Sequence, residues 1–174
     1  NSKAHFELGK AYYKMLRVGD AIEEFKKVIN LDSNHKEVYY ELGKLYVDNG
    51  MHQEAVGVLE RAVQITPDNG EAHFLLAKAY EGINRKDKAT EAFKKAQGQM
   101  EENYEVLLNV GQDYFEHGNY EEALKELTKA SEFPEATSMV YFILGKTYKA
   151  LGMKEEYAQA MEKADQLMTK EEEL

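Results

Sequence analysis

Apolar residues recur along the chain at spacings that predict pairs of amphipathic α-helices. In residues 36–69, a first stripe follows the i, i+3, i+4, i+7 spacing of one helix face, and a second stripe follows after a break at Asn49-Gly50. The first stripe consists of Val38, Tyr39, Leu42, Leu45 and Tyr46, and the second of Ala55, Val56, Leu59, Ala62 and Val63. Pro67 ends the second stripe, since proline cannot continue a helix. This segment therefore predicts a helix, a turn and a second helix.

The same pattern returns every 34 residues, which indicates a repeat array. Glycine occupies one position of the first helix in four units, and tyrosine occupies another in all five. The glycines are Gly9, Gly43, Gly111 and Gly145, and the tyrosines are Tyr12, Tyr46, Tyr80, Tyr114 and Tyr148. We place the units at residues 2–35, 36–69, 70–103, 104–137 and 138–171, followed by a short acidic tail at 172–174. We expect ten helices in a single array, with almost no strand.

Turns within the units should fall at glycine, which can adopt the left-handed backbone conformation that follows many helices. We place them at Gly50, Gly118 and Gly152, at residues 82–85 in the third unit, and at Val18-Gly19-Asp20 in the first. Along the second helices, one position changes from apolar to charged. It is occupied in turn by Ile29, Val63, Gln97, Ser131 and Asp165. A polar outer face is typical of a terminal repeat, so we expect the array to end at its C-terminus.

Composition excludes several classes of function. Apolar residues make up 43% of the chain, which is enough for a packed interior, and the net charge of −10 argues against a nucleic-acid-binding surface. No apolar run is long enough to insert into a membrane. The chain contains no cysteine, so it would be stable in a reducing or an oxidising compartment. We favour a cytoplasmic location. A periplasmic or membrane-tethered protein is the alternative, because the chain opens at Asn1 and not at Met.

Candidate catalytic and metal-binding chemistry is sparse. The five histidines do not fall at spacings that would bring three or four ligands together, and we interpret them as packing or surface residues. No phosphate-binding glycine loop, nucleophile elbow or zinc-protease motif is present. Paired acids such as Glu23-Glu24 and Glu121-Glu122 lie near helix starts, where the helix dipole favours them. We expect neither an enzyme nor a bound cofactor or metal.

The repeat resembles the tetratricopeptide repeat family, whose 34-residue helix–turn–helix unit carries Leu-Gly, Tyr, Ala, Phe and Pro at fixed positions. Unit two carries six of these features. They are Leu42-Gly43, Tyr46, Ala55, Leu59, Ala62 and Pro67. The chain departs from the family pattern at the usual tryptophan position. That position holds His5, Tyr39, His73, Leu107 and Tyr141. The resemblance implies an all-α, right-handed solenoid whose first helices line a concave groove.

By this resemblance, two rows of groove-facing side chains become candidate ligand contacts. The fifth position of each unit is apolar and holds Phe6, Tyr40, Phe74, Leu108 and Phe142. The ninth position is mostly basic and holds Lys10, Lys44, Lys78, Gln112 and Lys146. Tyr13, at the twelfth position of unit one, completes the candidate set. We expect Phe6, Tyr40, Phe74 and Phe142 to be partly exposed, with the lysines beside them.

We interpret the protein as a non-catalytic scaffold that binds a protein or peptide segment in this groove. Its ligand would supply apolar anchors flanked by acidic residues. One alternative is a self-assembly module that forms homo-oligomers, and another is the regulatory arm of a larger protein. The basic row has a simpler explanation, in which each lysine only pairs with a neighbouring glutamate on the surface.

Overall fold

The computed structural model describes residues 1–172, which form ten α-helices and, within that range, no strand. The helices are α1 (Ser2–Lys14), α2 (Val18–Leu31), α3 (Lys36–Asp48), α4 (His52–Ile65), α5 (Gly70–Gly82), α6 (Lys86–Ala96), α7 (Tyr104–Glu116), α8 (Tyr120–Ser131), α9 (Ser138–Ala150) and α10 (Lys154–Glu172). Each first helix of a pair begins at the first residue of its predicted unit. The prediction of ten helices in five pairs is confirmed. Of the expected acidic tail, Glu172 is the last residue of α10, and Glu173 and Leu174 lie outside the described residues.

The chain divides into two compact units, Asn1–Met100 and Glu101–Leu174. The first contains α1 to α6, and the second contains α7 to α10. In each unit, the two helices of a pair pack against each other and consecutive pairs are also in contact. No helix in residues 1–172 combines the length and apolar character needed to cross a membrane.

Asparagine side chains start three of the five first helices. Asn1, Asn69 and Asn103 each accept a hydrogen bond from a backbone N–H of the first helical turn, at 3.0–3.3 Å. His35 has the same role at α3, where its Nδ1 accepts from the backbone N–H of Val38 at 3.3 Å. Such caps satisfy donors that have no partner inside the helix, and each contributes about 1 kcal/mol. Polar caps therefore mark the start of four of the five repeats, whereas Thr137, before α9, makes no such bond.

A residue with a left-handed backbone separates the two helices of every pair. It is Leu16 (φ 58°), Gly50 (φ 70°), Asn84 (φ 58°), Gly118 (φ 77°) or Gly152 (φ 77°). The turn predicted at Val18-Gly19-Asp20 is wrong, because these residues form the first turn of α2. Leu16 takes the left-handed position instead, with its side chain 83% exposed. The position of Gly19 misled the prediction. The left-handed residue lies two positions after the end of the first helix in every pair, and Gly19 lies further along, inside α2.

Small residues let the helices of a pair approach closely in residues 1–100. A Cβ added to Gly9 would lie 2.7 Å from the Phe25 ring, and one added to Gly43 would collide with the branched end of Leu59. Phe25 and Leu59 are both fully buried. The repeated glycine therefore acts as a hole that receives a large apolar side chain of the second helix.

The core of residues 101–172 follows the same plan. A Cβ added to Gly111 would lie 2.7 Å from Leu127, and one added to Gly145 would lie 2.8 Å from Met161 Sδ. A buried cluster fills the space between α7, α8, α9 and α10. Its members are Leu107, Ala123, Leu127, Ala130, Val140, Ile143, Leu144 and Ala160.

Candidate functional site

In residues 1–100, tyrosine hydroxyls of one first helix bond to carboxylates of the next. Tyr13 of α1 donates to Asp48 of α3, and Tyr40 of α3 donates to Glu71 of α5 at 2.7 Å. Desolvation by burial, reinforced by the hydrogen bond to the carboxylate, raises the pKa of both Tyr13 and Tyr40. Both phenols therefore stay neutral at physiological pH and link adjacent repeats. Tyr13 and Tyr40 lie on the face that the sequence assigned to the groove.

The expectation that Phe6 is partly exposed is wrong. Phe6 is only 4% exposed, and its ring centroid lies 4.8 Å from that of His35 and 5.9 Å from that of Phe25. Lys10 Nζ lies over the same ring at 4.7 Å from its centroid. Phe6 is covered because His35, which caps α3, is carried against α1 where the next repeat begins. It is therefore a packing residue and not an open ligand contact.

The other two rings of this row remain accessible in part. Tyr40 and Phe74 are both partly exposed, as expected. Phe74 packs against the buried Phe93 of α6, with a centroid distance of 5.9 Å and a tilted geometry. The pairing holds the Phe74 ring in one orientation while leaving part of its surface open.

The lysines of residues 1–100 do not share one environment. Lys10 Nζ pairs with Glu7 Oε1 at 2.9 Å, and that hydrogen bond raises the pKa of Lys10. Lys44 is partly buried and forms no ion pair within residues 1–172. Lys78 is engaged by neighbouring groups. The simple explanation of local pairing therefore applies to Lys10 and not to Lys44.

In residues 101–172, the same face centres on an exposed ring and a cation. Phe142 of α9 is 44% exposed, and Lys146 Nζ lies 5.2 Å from its centroid and 5.6 Å from that of Phe115 on α7. Leu108 is partly buried, and Gln112 donates to Glu116 Oε1 at 2.9 Å. The sequence prediction missed Phe115, although it occupies the twelfth position of its unit, as Tyr13 does. The resulting surface offers apolar area beside a positive charge.

Residues at the position where the family usually has tryptophan form hydrogen bonds that the sequence did not indicate. Tyr39 donates to the backbone carbonyl of Ser33 at 2.9 Å, and Tyr141 donates to that of Ser131 at 3.1 Å. His73 Nε2 lies 2.9 Å from the carbonyl of Pro67, so this nitrogen carries the proton. These bonds tie α3, α5 and α9 to the turn or helix end that precedes each of them. Histidine therefore serves packing here, and residues 1–172 contain no group of three or more potential metal ligands.

Paired helices of regular length and a glycine hole in nearly every repeat define an α-helical repeat protein. Such arrays are protein-interaction scaffolds. Family profiles described as "Tetratricopeptide repeat" match residues 6–70, 47–99 and 140–167. The chain belongs to the tetratricopeptide repeat family.

Solved structures show the same fold. The crystal structure of MamA protein superposes with a TM-score of 0.78 at 23% sequence identity, covering 99% of this chain and 94% of that chain. The structure of YrrB, described as a TPR protein with an unusual peptide-binding site, superposes with a TM-score of 0.81 at 20% identity. That superposition covers 96% of this chain and 86% of YrrB. None of the curated proteins compared with this chain matches it. The all-α solenoid class predicted from the repeat is confirmed.

Proposed function

We propose that the first-helix faces of this protein bind an extended or helical segment of another protein, and that the chain acts as a scaffold without catalysis. The observation that carries the proposal is the exposed ring of Phe142 beside Lys146. Met139, three residues earlier on α9, is also exposed, so that the two side chains are neighbours on the helix surface. Contiguous apolar patches of this kind frequently mark binding sites. YrrB, which shares the fold, is itself described as having a peptide-binding site.

The chemistry of the two faces defines the ligand. Phe142 and Phe115 supply apolar area in residues 101–172, while Tyr40 and Phe74 supply it in residues 1–100. Lys146 and Lys44 supply positive charge next to these rings. We infer a segment with bulky apolar anchors flanked by Asp, Glu or a free carboxylate. The anchors would contribute most of the affinity, and the charges would chiefly accelerate association.

A random peptide library displayed on phage and selected against the whole chain tests this proposal. We expect enriched peptides to combine aromatic or aliphatic residues with acidic ones. Replacing Phe142 by Ala should weaken binding of an enriched peptide by about 1–3 kcal/mol in calorimetry, since anchors of this kind carry such amounts. Lys146→Glu should slow association, and binding by the wild-type chain should weaken with added salt.

Matched controls separate this face from the rest of the surface. Lys125→Glu changes an exposed lysine of α8, away from the first helices, and should leave peptide binding unchanged. Tyr40→Ala tests the face of residues 1–100, as Phe142→Ala tests that of residues 101–172. If the enriched peptides lack acidic residues and bind equally well to the Phe142→Ala and Tyr40→Ala variants, the proposed faces are not the binding site.

A further inference from the structure

The first repeat contains a buried carboxylate held by an imidazole and a lysine. Glu24 of α2 is 7% exposed, His5 Nδ1 donates to its Oε2 at 2.5 Å, and Lys27 Nζ donates to its Oε1 at 2.6 Å. The hydrogen bond from Lys27, and to a lesser degree that from His5, lowers the pKa of Glu24. These residues occupy the fourth, twenty-third and twenty-sixth positions of their unit. The repeat can therefore hold an ionised carboxylate at this place.

The third repeat has the same arrangement without the carboxylate. His73 occupies the fourth position and Lys95 the twenty-sixth, but Ala92 occupies the twenty-third, where the first repeat has glutamate. His73 is 7% exposed. Its Nε2 donates to the carbonyl of Pro67, whereas its buried Nδ1 has no hydrogen-bond partner in the part of the chain that the structure describes. A buried polar atom without a partner costs free energy, so each such atom calls for an explanation.

A cavity of about 180 Å³ lies beside this histidine, among α4, α5 and α6. His73, Ala92 and Lys95 line it together, so the cavity borders the position at which the first repeat places its glutamate. Drug-sized ligands usually occupy about 300–1,000 Å³, and this volume is smaller. The cavity therefore suits a small group.

The charged side chains that line the cavity favour an anion. Lys88, Glu91 and Lys95 of α6 are all exposed at its edge. Lys95 Nζ pairs with Glu91 Oε1 at 2.8 Å, one helical turn away. Lys88 Nζ lies over the Tyr80 ring, 5.2 Å from the ring centroid. Two lysines and one glutamate give this wall a net positive charge next to the histidine.

We propose that this cavity binds the carboxylate of a small organic acid or of an acidic side chain, in the place that Glu24 fills in the first repeat. The His73 imidazole takes up one proton from solvent, so that Nδ1–H donates to a carboxylate oxygen while Nε2–H keeps its bond to Pro67. Lys95 interacts with the second oxygen, as Lys27 does with Glu24. The site shares no residue with the first-helix faces assigned to peptide binding.

NMR of the whole chain labelled with nitrogen-15 histidine tests the proposal. Propionate is the probe, because it reproduces the glutamate side chain from Cβ onward. Near neutral pH, we expect added propionate to move the His73 Nδ1 resonance from that of a bare nitrogen towards that of a protonated one, until the change saturates. Sodium chloride at the same ionic strength should not produce this change. A resonance that propionate does not move, or that chloride moves equally, overturns the proposal.

Variants of the lining residues should change propionate binding in a defined order. Ala92→Glu supplies a carboxylate from the chain itself and should abolish binding. His73→Gln removes the charged donor and should weaken binding about tenfold or more, because hydrogen bonds to charged groups contribute such amounts. Lys95→Met should weaken it about twofold to fivefold, since this lysine is exposed. An Ala92→Glu chain that binds propionate as the wild type does contradicts the proposed site.

Ala160→Glu is the matched control. Ala160 is a buried alanine at the twenty-third position of the fifth unit, with Lys163 at the twenty-sixth, but Tyr141 takes the place of histidine at the fourth. This variant should bind propionate as the wild type does. It should melt at a lower temperature than the Ala92→Glu chain, because its buried carboxylate meets no imidazole. The reverse order of melting temperatures would show that no carboxylate belongs beside Ala92.

Two further probes distinguish the source of the carboxylate. A tripeptide with blocked ends and a central glutamate presents it as a side chain, and the same tripeptide with glutamine is its control. Tighter binding of the glutamate tripeptide than of propionate assigns the site to an acidic protein segment. Binding of propionate with exclusion of the tripeptide assigns it to a small organic acid. Both results support the site, whereas equal binding of the glutamate and glutamine tripeptides contradicts it.

Discussion

The first-helix faces of the two compact units differ although they derive from the same repeat. In residues 1–100, Tyr13–Asp48 and Tyr40–Glu71 hydrogen bonds join neighbouring first helices. In residues 101–172, the corresponding region presents an open Phe142 ring with a lysine above it. The first face is cross-linked by polar groups, and the second is apolar and cationic. The same helical frame therefore carries two different surfaces.

Phe6 and Phe142 show how one repeat position acquires two roles. Both occupy the fifth position of a unit, yet Phe6 is 4% exposed and Phe142 is 44% exposed. His35, at the start of the next repeat, covers Phe6, whereas Tyr40 and Phe74 stay partly exposed although a repeat follows each of them. Burial at this position therefore depends on which side chain the next repeat places against the ring, as His35 is placed against Phe6.

Truncating these two rings should give the largest difference in the unfolding free energy. Phe6→Ala removes a ring packed between α1, α2 and His35 and should lower the unfolding free energy by about 3 kcal/mol or more, as for other buried phenylalanines. Phe142→Ala should cost less than about 1 kcal/mol, since nearly half of its surface already contacts water. Urea denaturation followed by circular dichroism measures both. Equal losses for the two variants would show that Phe142 is a core residue.

The glycine holes should also respond differently in the two units. Gly43→Ala forces a methyl group against the branched end of Leu59 and should cost about 1–3 kcal/mol of stability. Gly145→Ala meets the flexible thioether of Met161, which can move away, so it should cost less. Gly57→Ala is the control, because nothing lies within 4 Å of its added Cβ. Removing a helical glycine there should stabilise the chain by up to about 1 kcal/mol.

The hydrogen bond from the Tyr40 hydroxyl to Glu71 should contribute less to the unfolding free energy, and its contribution should depend on pH. Tyr40→Phe deletes the bond to Glu71 and should cost about 1 kcal/mol near neutral pH. Folding raises the pKa of Tyr40, so the folded state favours the neutral phenol. The contribution is complete below the ordinary tyrosine pKa of about 10 and is lost as the pH rises above it. Denaturation at several pH values should show the wild-type and Tyr40→Phe curves converging above that pKa.

Turn substitutions should produce the smallest effect. Leu16 holds a left-handed backbone at φ 58°, where residues 101–172 have Gly118 and Gly152. Leu16→Gly should stabilise the chain by up to about 1 kcal/mol, because a side chain disfavours this conformation and Leu16 buries little. Gly118→Ala makes the opposite change and should lower the melting temperature. A loss of stability in Leu16→Gly would mean that the leucine contributes packing absent from the structure.

Sequence periodicity predicted most of the fold and part of the candidate site. It assigned ten helices, their pairing and the recurring glycine of the first helix, because these follow from local spacing. It also placed Tyr40, Phe74 and Phe142 on an accessible surface. It did not indicate the Lys146 contact with Phe115, because that contact joins side chains of two different repeats.

The sequence by itself determined the repeat length, the number of helices and the first residue of each repeat. Tertiary structure alone decided which rings are covered and which hydroxyls reach a carboxylate. Tyr13 and Asp48 are 35 residues apart, and Tyr40 and Glu71 are 31 apart. Their contact depends on how one helix pair stacks on the next. The conformational preferences of short segments cannot specify such a contact, because stacking brings together side chains that lie on different helices.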